Sequence, residues 1–266
     1  MTFSHKTPIG DPKREAIDSL RGYVYQIYQS ALAWTEIKDD EFLYLEVAED
    51  YAVVAATALK AVQVKETAKP VTINSPDILT SIDSFVDLKK GNPSLNVTLR
   101  HLTTSQITKE QSSNHRIGET PTLTKWRHLA KAGDLTEFRV ILNNSKLSKK
   151  TKEYIAVLSD SDFRDEFLKK IHFDCGAPDS QFLERQIKSR VSKLLKERGG
   201  VLSQEKSCTA NILLFLLNLS INKDRKKRFV DIVGLEEQLE AATTVSFNMA
   251  QIEEQNQLIA RALSAS

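Results

Sequence analysis

Between Pro12 and Trp34 the apolar positions Ile17, Leu20, Val24, Ile27, Tyr28 and Ala31 recur at steps of three and four. That spacing predicts a first helix. The period then shortens. Phe42 to Val47 (FLYLEV), Tyr51 to Ala55 (YAVVA) and Lys60 to Lys65 (KAVQVK) are short runs rich in β-branched and aromatic residues, separated only by Ala48-Glu49-Asp50 and Ala56-Thr57-Ala58. Three consecutive antiparallel strands are expected. After Pro70, Ser75 stands where a helix N-cap belongs, Pro76 at the first helical position, and Gly91 follows Lys89 and Lys90 at the far end. These are start and stop signals of a second helix. Leu95 to Leu102 (LNVTLRHL) alternates again and predicts a fourth strand, so the order is helix, three strands, helix, strand.

The stretch from Thr103 to Pro121 is polar and reads as a long loop. Beyond it the spacing is helical near 122–132, 134–143, 147–158, 160–171, 179–198, 205–221, 224–240 and 246–263, with Asp134, Ser148, Asp160, Asp179 and Ser203 as candidate caps. The expectation is an α/β (α+β) core over residues 1–105, a linker over 106–121, and an all-α region over 122–266 that completes or extends the core.

Composition narrows the class without naming a function. With 266 residues, 41% hydrophobic and 27% charged, the chain can bury a sizeable core. Thirty-seven basic residues against thirty-five acidic ones leave a net charge of +2, so any nucleic-acid site must be local. The N-terminus MTFSHKTPIGDPKRE lacks the apolar core of a signal peptide, and no apolar stretch reaches about 18 residues; a cytoplasmic protein without a membrane span is expected. Cys175 and Cys208 are isolated and the histidines at 5, 115, 128 and 172 show no ligand spacing, which argues against a structural zinc site or a histidine-based enzyme.

One strand carries chemistry that packing does not require. In Ala61 to Lys65, Val62 and Val64 face one way while Gln63 and Lys65 face the other. Alone, such a pair describes a half-solvated strand face. Thirteen residues before Gln63 lies Asp50, next to Glu49. If strands two and three form a hairpin, a pairing in which residue numbers sum to roughly 114 sets Asp50 opposite Val64, a diagonal step from Gln63 and Lys65. A carboxylate, an amide oxygen and the Val64 carbonyl would then suit a hard divalent cation, Mg²⁺ or Mn²⁺, with a lysine beside it. Such a cation acidifies bound water and neutralises phosphoryl oxygen, and the lysine orients that water: the chemistry of phosphodiester hydrolysis.

Asp50, a short hairpin and Gln63-Val64-Lys65, set in this element order, resemble the PD-(D/E)xK nuclease superfamily, with QxK resembling its Mrr-like restriction-endonuclease branch. The segment LRGYVYQIYQSALAW resembles the first helix of the double-stranded-DNA endonuclease domain of bacterial anti-phage effectors of the cyclic-oligonucleotide defence type. The resemblance spans about residues 14 to 103. It implies a restriction-endonuclease-like fold and a Mg²⁺- or Mn²⁺-dependent endonuclease acting on double-stranded DNA. Asp50 would be the principal metal ligand, with Gln63 in place of the usual acid and the Val64 carbonyl beside them. Lys65 would assist the attacking water, and Gln26 would approach from the first helix. Glu46 or Glu49 is the candidate second acid. Oligomerisation on activation, and a sensor on a partner or on a further domain, are implied too; the ending LIARALSAS, without a helix stop, fits a longer chain.

A second expectation belongs to another class: a nuclease fold without activity, serving as an interaction module for a partner protein or a second copy. A ligand-gated regulatory domain is a third. His101, at the end of the fourth strand, is read as a DNA contact or as nothing. The run Lys223 to Arg228 (KDRKKR) is read either as a solvated helix face or as a phosphate contact.

Overall fold

The computed structural model describes residues 16–112, 116–200, 202–243, 252–254 and 257. Helix α1 (Ile17–Trp34) leads into strands β1 (Phe42–Leu45), β2 (Tyr51–Ala55) and β3 (Ala58–Lys65), then α2 (Pro76–Gly91) and β4 (Asn96–Thr103). These follow the predicted order. Next come α3 (Thr122–Leu129), α4 (Thr136–Asn144), α5 (Lys149–Ala156) and the short α6 (Asp160–Asp162), which runs through a π turn and a 3-10 turn into β5 (Ile171–Cys175). Helices α7 (Ser180–Glu197) and α8 (Glu205–Ser220), strand β6 (Phe229–Val230) and a last helical stretch over 232–243 complete the described chain. The helix expected near 246–263 lies outside the described residues except for 252–254 and 257, which are helical.

The six strands form one sheet in the order β5-β4-β3-β2-β1-β6. Pairs β1–β2, β2–β3 and β1–β6 are antiparallel, whereas β3–β4 and β4–β5 are parallel. The parallel step from β3 to β4 needs a crossover, and α2 supplies it. Two strands therefore correct the expectation of an all-α region after residue 122. Ile171 and Phe173 alternate inward on β5, a five-residue strand appended to a helical segment, and the two residues of β6 are too few for any period to show.

Apolar clusters cover both faces of the sheet. On one, Leu59, Ala61, Val97, Leu99 and Phe173 pack with α2 to α5 and the π turn through Ile78, Ile82, Phe85, Trp126, Phe138 and Phe167. On the other, Leu43, Leu45, Tyr51, Val62, Val64 and Leu102 pack with α1, α7, α8 and 232–243 through Tyr25, Trp34, Ile187, Ile212 and Leu239. This is a layered arrangement, helices on either side of a mixed sheet. The alternation of β3 decides which layer each side chain meets: valines toward α1, Gln63 and Lys65 toward α2.

The hairpin register corrects one expectation. Tyr51 pairs with Val62 and Ala55 with Ala58, a sum of 113 rather than 114, because the turn has two residues, Ala56 and Thr57, and not three. Ser75 precedes α2 as expected, but its hydroxyl accepts from Thr72 N at 2.9 Å and does not cap the helix. Ser148 and Asp179 do cap, accepting from Thr151 N and Phe182 N.

Candidate functional site

The loop Glu46 to Asp50 joins β1 to β2 at the end of the sheet where β3 reaches Lys65. It is tightly held despite its strain. Glu46 and Glu49 have φ of 53° and 70°, left-handed values that cost non-glycine residues about 1 kcal/mol or more each. Opposing that cost, Glu46 N donates to Asp50 O at 3.0 Å, Arg228 donates to Glu46 O at 3.0 Å and Arg225 to Val47 O at 2.8 Å. From α1, Gln26 Nε2 donates to the Glu46 carboxylate and lies 3.4 Å from Asp50 O; from α2, Ser84 lies near enough to Glu49 to favour its charged form. Both helical layers thus grip one five-residue loop.

Asp50 comes to β3 through its side chain. Its Oδ2 accepts from Val64 N at 2.6 Å, and the Lys65 ammonium is close enough to favour its charged form. Asp50 thus meets Val64 at its N–H, which leaves the expectation for the Val64 carbonyl as a metal ligand where it stood. Burial pushes Asp50 above the usual carboxylate range, with the Val64 N–H and Lys65 pulling the other way. Glu46 is raised mainly by burial, opposed by the Gln26 hydrogen bond, and further raised by Asp50; Glu49 is raised by burial and by Asp50 and is lowered by Ser84 and Lys65. The site thus gathers three acids around one lysine, with burial resisting ionisation.

Gln63 sits elsewhere in the network than the sequence suggests. It is 7% exposed, and its Oε1 accepts from Ser81 Oγ and lies 3.0 Å from His101 Nδ1, with Ser81 and His101 2.7 Å apart. That amide oxygen already has two partners, so metal ligation by it would displace Ser81 or His101. His101 is fully buried, which removes it as a DNA contact; burial pushes its pKa down to about 4 and its Nε2 has no partner. Ser81 was not singled out by sequence, although a serine among Ile78, Ile82 and Phe85 on the apolar face of α2 is a visible anomaly.

A hard divalent cation fits part of this set. The oxygen donors of Asp50 with Glu46 or Glu49 match its chemistry, and a cation would offset the burial that disfavours their charged forms. Among the described residues no three His, Cys, Asp or Glu side chains form a ready cluster for a metal, so water would have to complete the coordination of Asp50 and one neighbour.

No family model matches the chain, and no curated protein matches it. Among solved structures it is similar to the Acinetobacter baumannii Cap4 SAVED/CARF-domain containing receptor with the cyclic trinucleotide 3'3'3'-cAAA, at 13% identity and TM-score 0.49, over 83% of this chain and 44% of that one. The same receptor with 2'3'3'-cAAA gives 14% and 0.49 over the same shares. The Moraxella osloensis Cap4 SAVED/CARF-domain containing receptor gives 14% and 0.40, over 75% of this chain and 43% of that one. The chain spans less than half the length of each. Among the described residues no helix is long and apolar enough to cross a membrane.

Proposed function

We propose that this chain is a metal-dependent endonuclease that hydrolyses phosphodiester bonds of double-stranded DNA. The observation that carries the reading is Asp50: a half-buried carboxylate anchored to the Val64 amide within the field of Lys65, with Glu46 and Glu49 on the same loop. Asp50 with Glu46 or Glu49 would hold Mg²⁺ or Mn²⁺. When bound, the cation neutralises charge at the scissile phosphate and makes a water more acidic. Lys65 orients the attacking water and stabilises the charge that develops on the phosphoryl oxygens. Gln26 positions Glu46 and the Asp50 carbonyl; Ser81 and His101 fix Gln63 behind Lys65. The sequence resemblance supports placing this activity in bacterial anti-phage defence, with a sensor on a partner or on a further domain and a second copy of the chain as activating partner.

One observation favours a second reading, an inactive interaction module: the Gln63 oxygen is engaged by Ser81 and His101. Supercoiled plasmid incubated with Mg²⁺ or Mn²⁺ separates the two. On the nuclease reading the wild-type chain cleaves, and Asp50→Ala and Lys65→Ala each lose at least about 100-fold, the scale of one electrostatic or acid–base group. Cleavage that survives both substitutions refutes the site. Absence of cleavage with either metal, alone or with a partner, favours the interaction module.

A further inference from the structure

The basic run that the sequence left ambiguous lies against the candidate site. Residues 225–227 form a 3-10 turn leading into β6, whose Phe229 pairs with Tyr44; just before it, the Arg228 carbonyl accepts from Leu45 N at 2.9 Å. That pairing carries the run to the end of β1 where the Glu46–Asp50 loop begins. Arg225 and Arg228 spend their guanidinium groups on the carbonyls of Val47 and Glu46. Lys223, Lys226 and Lys227 remain exposed.

Some lysines of the surface pair with carboxylates, as in Lys60–Glu41, Lys89–Glu166, Lys150–Asp87, Lys169–Asp165 and Lys188–Glu184, and others, such as Lys146, Lys196 and Lys206, do not among the described residues. What sets the run apart is that three exposed lysines of the second kind fall within the five positions 223–227, beside the candidate site. Among the described residues none of Lys223, Lys226 and Lys227 has such a partner. The one acid inside the run, Asp224, accepts from Lys226 N and caps the turn. Five cations against one acid stand out in a chain whose overall charges almost cancel. Beside them, Tyr44 and Phe229 lie with ring centroids 5.6 Å apart and Phe42 and Phe229 with centroids 5.9 Å apart. Phe42 and Phe229 are each 39% exposed. By register Tyr44 aligns with Ala52 and Ala61, so these rings share the sheet face of Gln63 and Lys65.

We propose that Lys223, Lys226 and Lys227, with the Tyr44, Phe42 and Phe229 edge, form the surface that grips the phosphate backbone of DNA and feeds it to the Asp50 loop. The partner is a polyanion with regularly spaced charge. Unpaired lysines supply sequence-independent attraction by releasing its counterions, and exposed rings supply apolar contact beside them. The reading deepens the nuclease proposal and rests on it for the identity of the polymer, but binding and cleavage are separable.

The test is fluorescence anisotropy of a labelled DNA duplex without divalent metal, over a series of salt concentrations. The proteins are the full chain, Asp50→Ala, the triple variant Lys223→Glu/Lys226→Glu/Lys227→Glu, and a control with equal charge change at exposed sites, Lys146→Glu/Lys196→Glu/Lys206→Glu. Wild type and the control are expected to bind alike, and Asp50→Ala, which loses a carboxylate beside the phosphate path, at least as tightly. The ridge variant should bind at least about tenfold more weakly, and its slope of log affinity against log salt should be shallower by about 0.9 for each phosphate no longer neutralised. Equal affinity and slope for ridge variant and control overturn the proposal. So does competition by polyglutamate as effective as by unlabelled duplex of the same charge, which assigns the ridge to an acidic protein. If the ridge variant alone loses binding here and wild type does not cleave plasmid with Mg²⁺ or Mn²⁺, the nuclease reading fails while the ridge stands.

Discussion

Asp50 is costly where it lies. Burial raises its pKa, and the nearby acids gain nothing from its charge, so in metal-free buffer the folded state bears a penalty for keeping it ionised. A raised carboxylate contributes stability below its unfolded pKa and loses it as pH rises through the folded value. Asp50→Asn keeps an acceptor for Val64 N and removes the charge. It should therefore melt higher than wild type at neutral pH without metal, each ~1 kcal/mol relieved being worth about 2–4 °C. Mg²⁺ should raise the melting temperature of wild type but not of Asp50→Asn, as differential scanning fluorimetry can show. His101 acts in the opposite direction. With its pKa pushed down to about 4 from the usual 6.5, the unfolded chain takes the proton first as pH falls, so stability is present above 6.5 and is lost toward 4. In urea titrations across that window, His101→Gln should flatten the decline, which in wild type has a slope of up to about 1.4 kcal/mol per pH unit from this group.

At the scale of elements, the β1–β2 loop is the piece that assembles the site. Its left-handed residues persist because α1, α2 and the segment before β6 all hold it. Arg228→Ala removes the donor to Glu46 O and to Asn222 O, so amide exchange at Glu46 to Asp50 should quicken while the centre of β3 stays protected. Equal protection in both regions contradicts the clamp. Ser81→Ala leaves the Gln63 oxygen with His101 alone and should cost about 1 kcal/mol, read from the denaturation midpoint. Much of this was legible. Period two and the valines marked β3 and aimed Gln63 and Lys65 together, and helical spacing put Gln26 on α1. The one-residue register shift was not, because alanine, threonine and alanine at 56–58 give no sign of whether two or three residues turn. Nor was the Ser81–His101 hold on Gln63, since a helix and a strand 20 residues apart declare no contact in a sequence.

For the whole molecule, the proposed action of a near-neutral chain on a polyanion requires local charge, and β6 at the edge of the sheet brings a basic run beside the candidate site. The strands β5 and β6 that correct the all-helical expectation widen the sheet on both sides of the core that sequence had outlined, and β6 carries the basic run to the site. Its two residues could not be read because their pairing with β1 is set by distant chain, across more than 180 positions. The nuclease assignment is tested most sharply with Asp50→Asn, whose fold is expected to be at least as stable as wild type. Loss of supercoiled plasmid is followed with enzyme in excess and Mg²⁺ or Mn²⁺ present. Wild type is expected to cleave, and Asp50→Asn to deplete the plasmid at least about 100-fold more slowly. Cleavage by a folded Asp50→Asn at the wild-type rate would contradict the assignment.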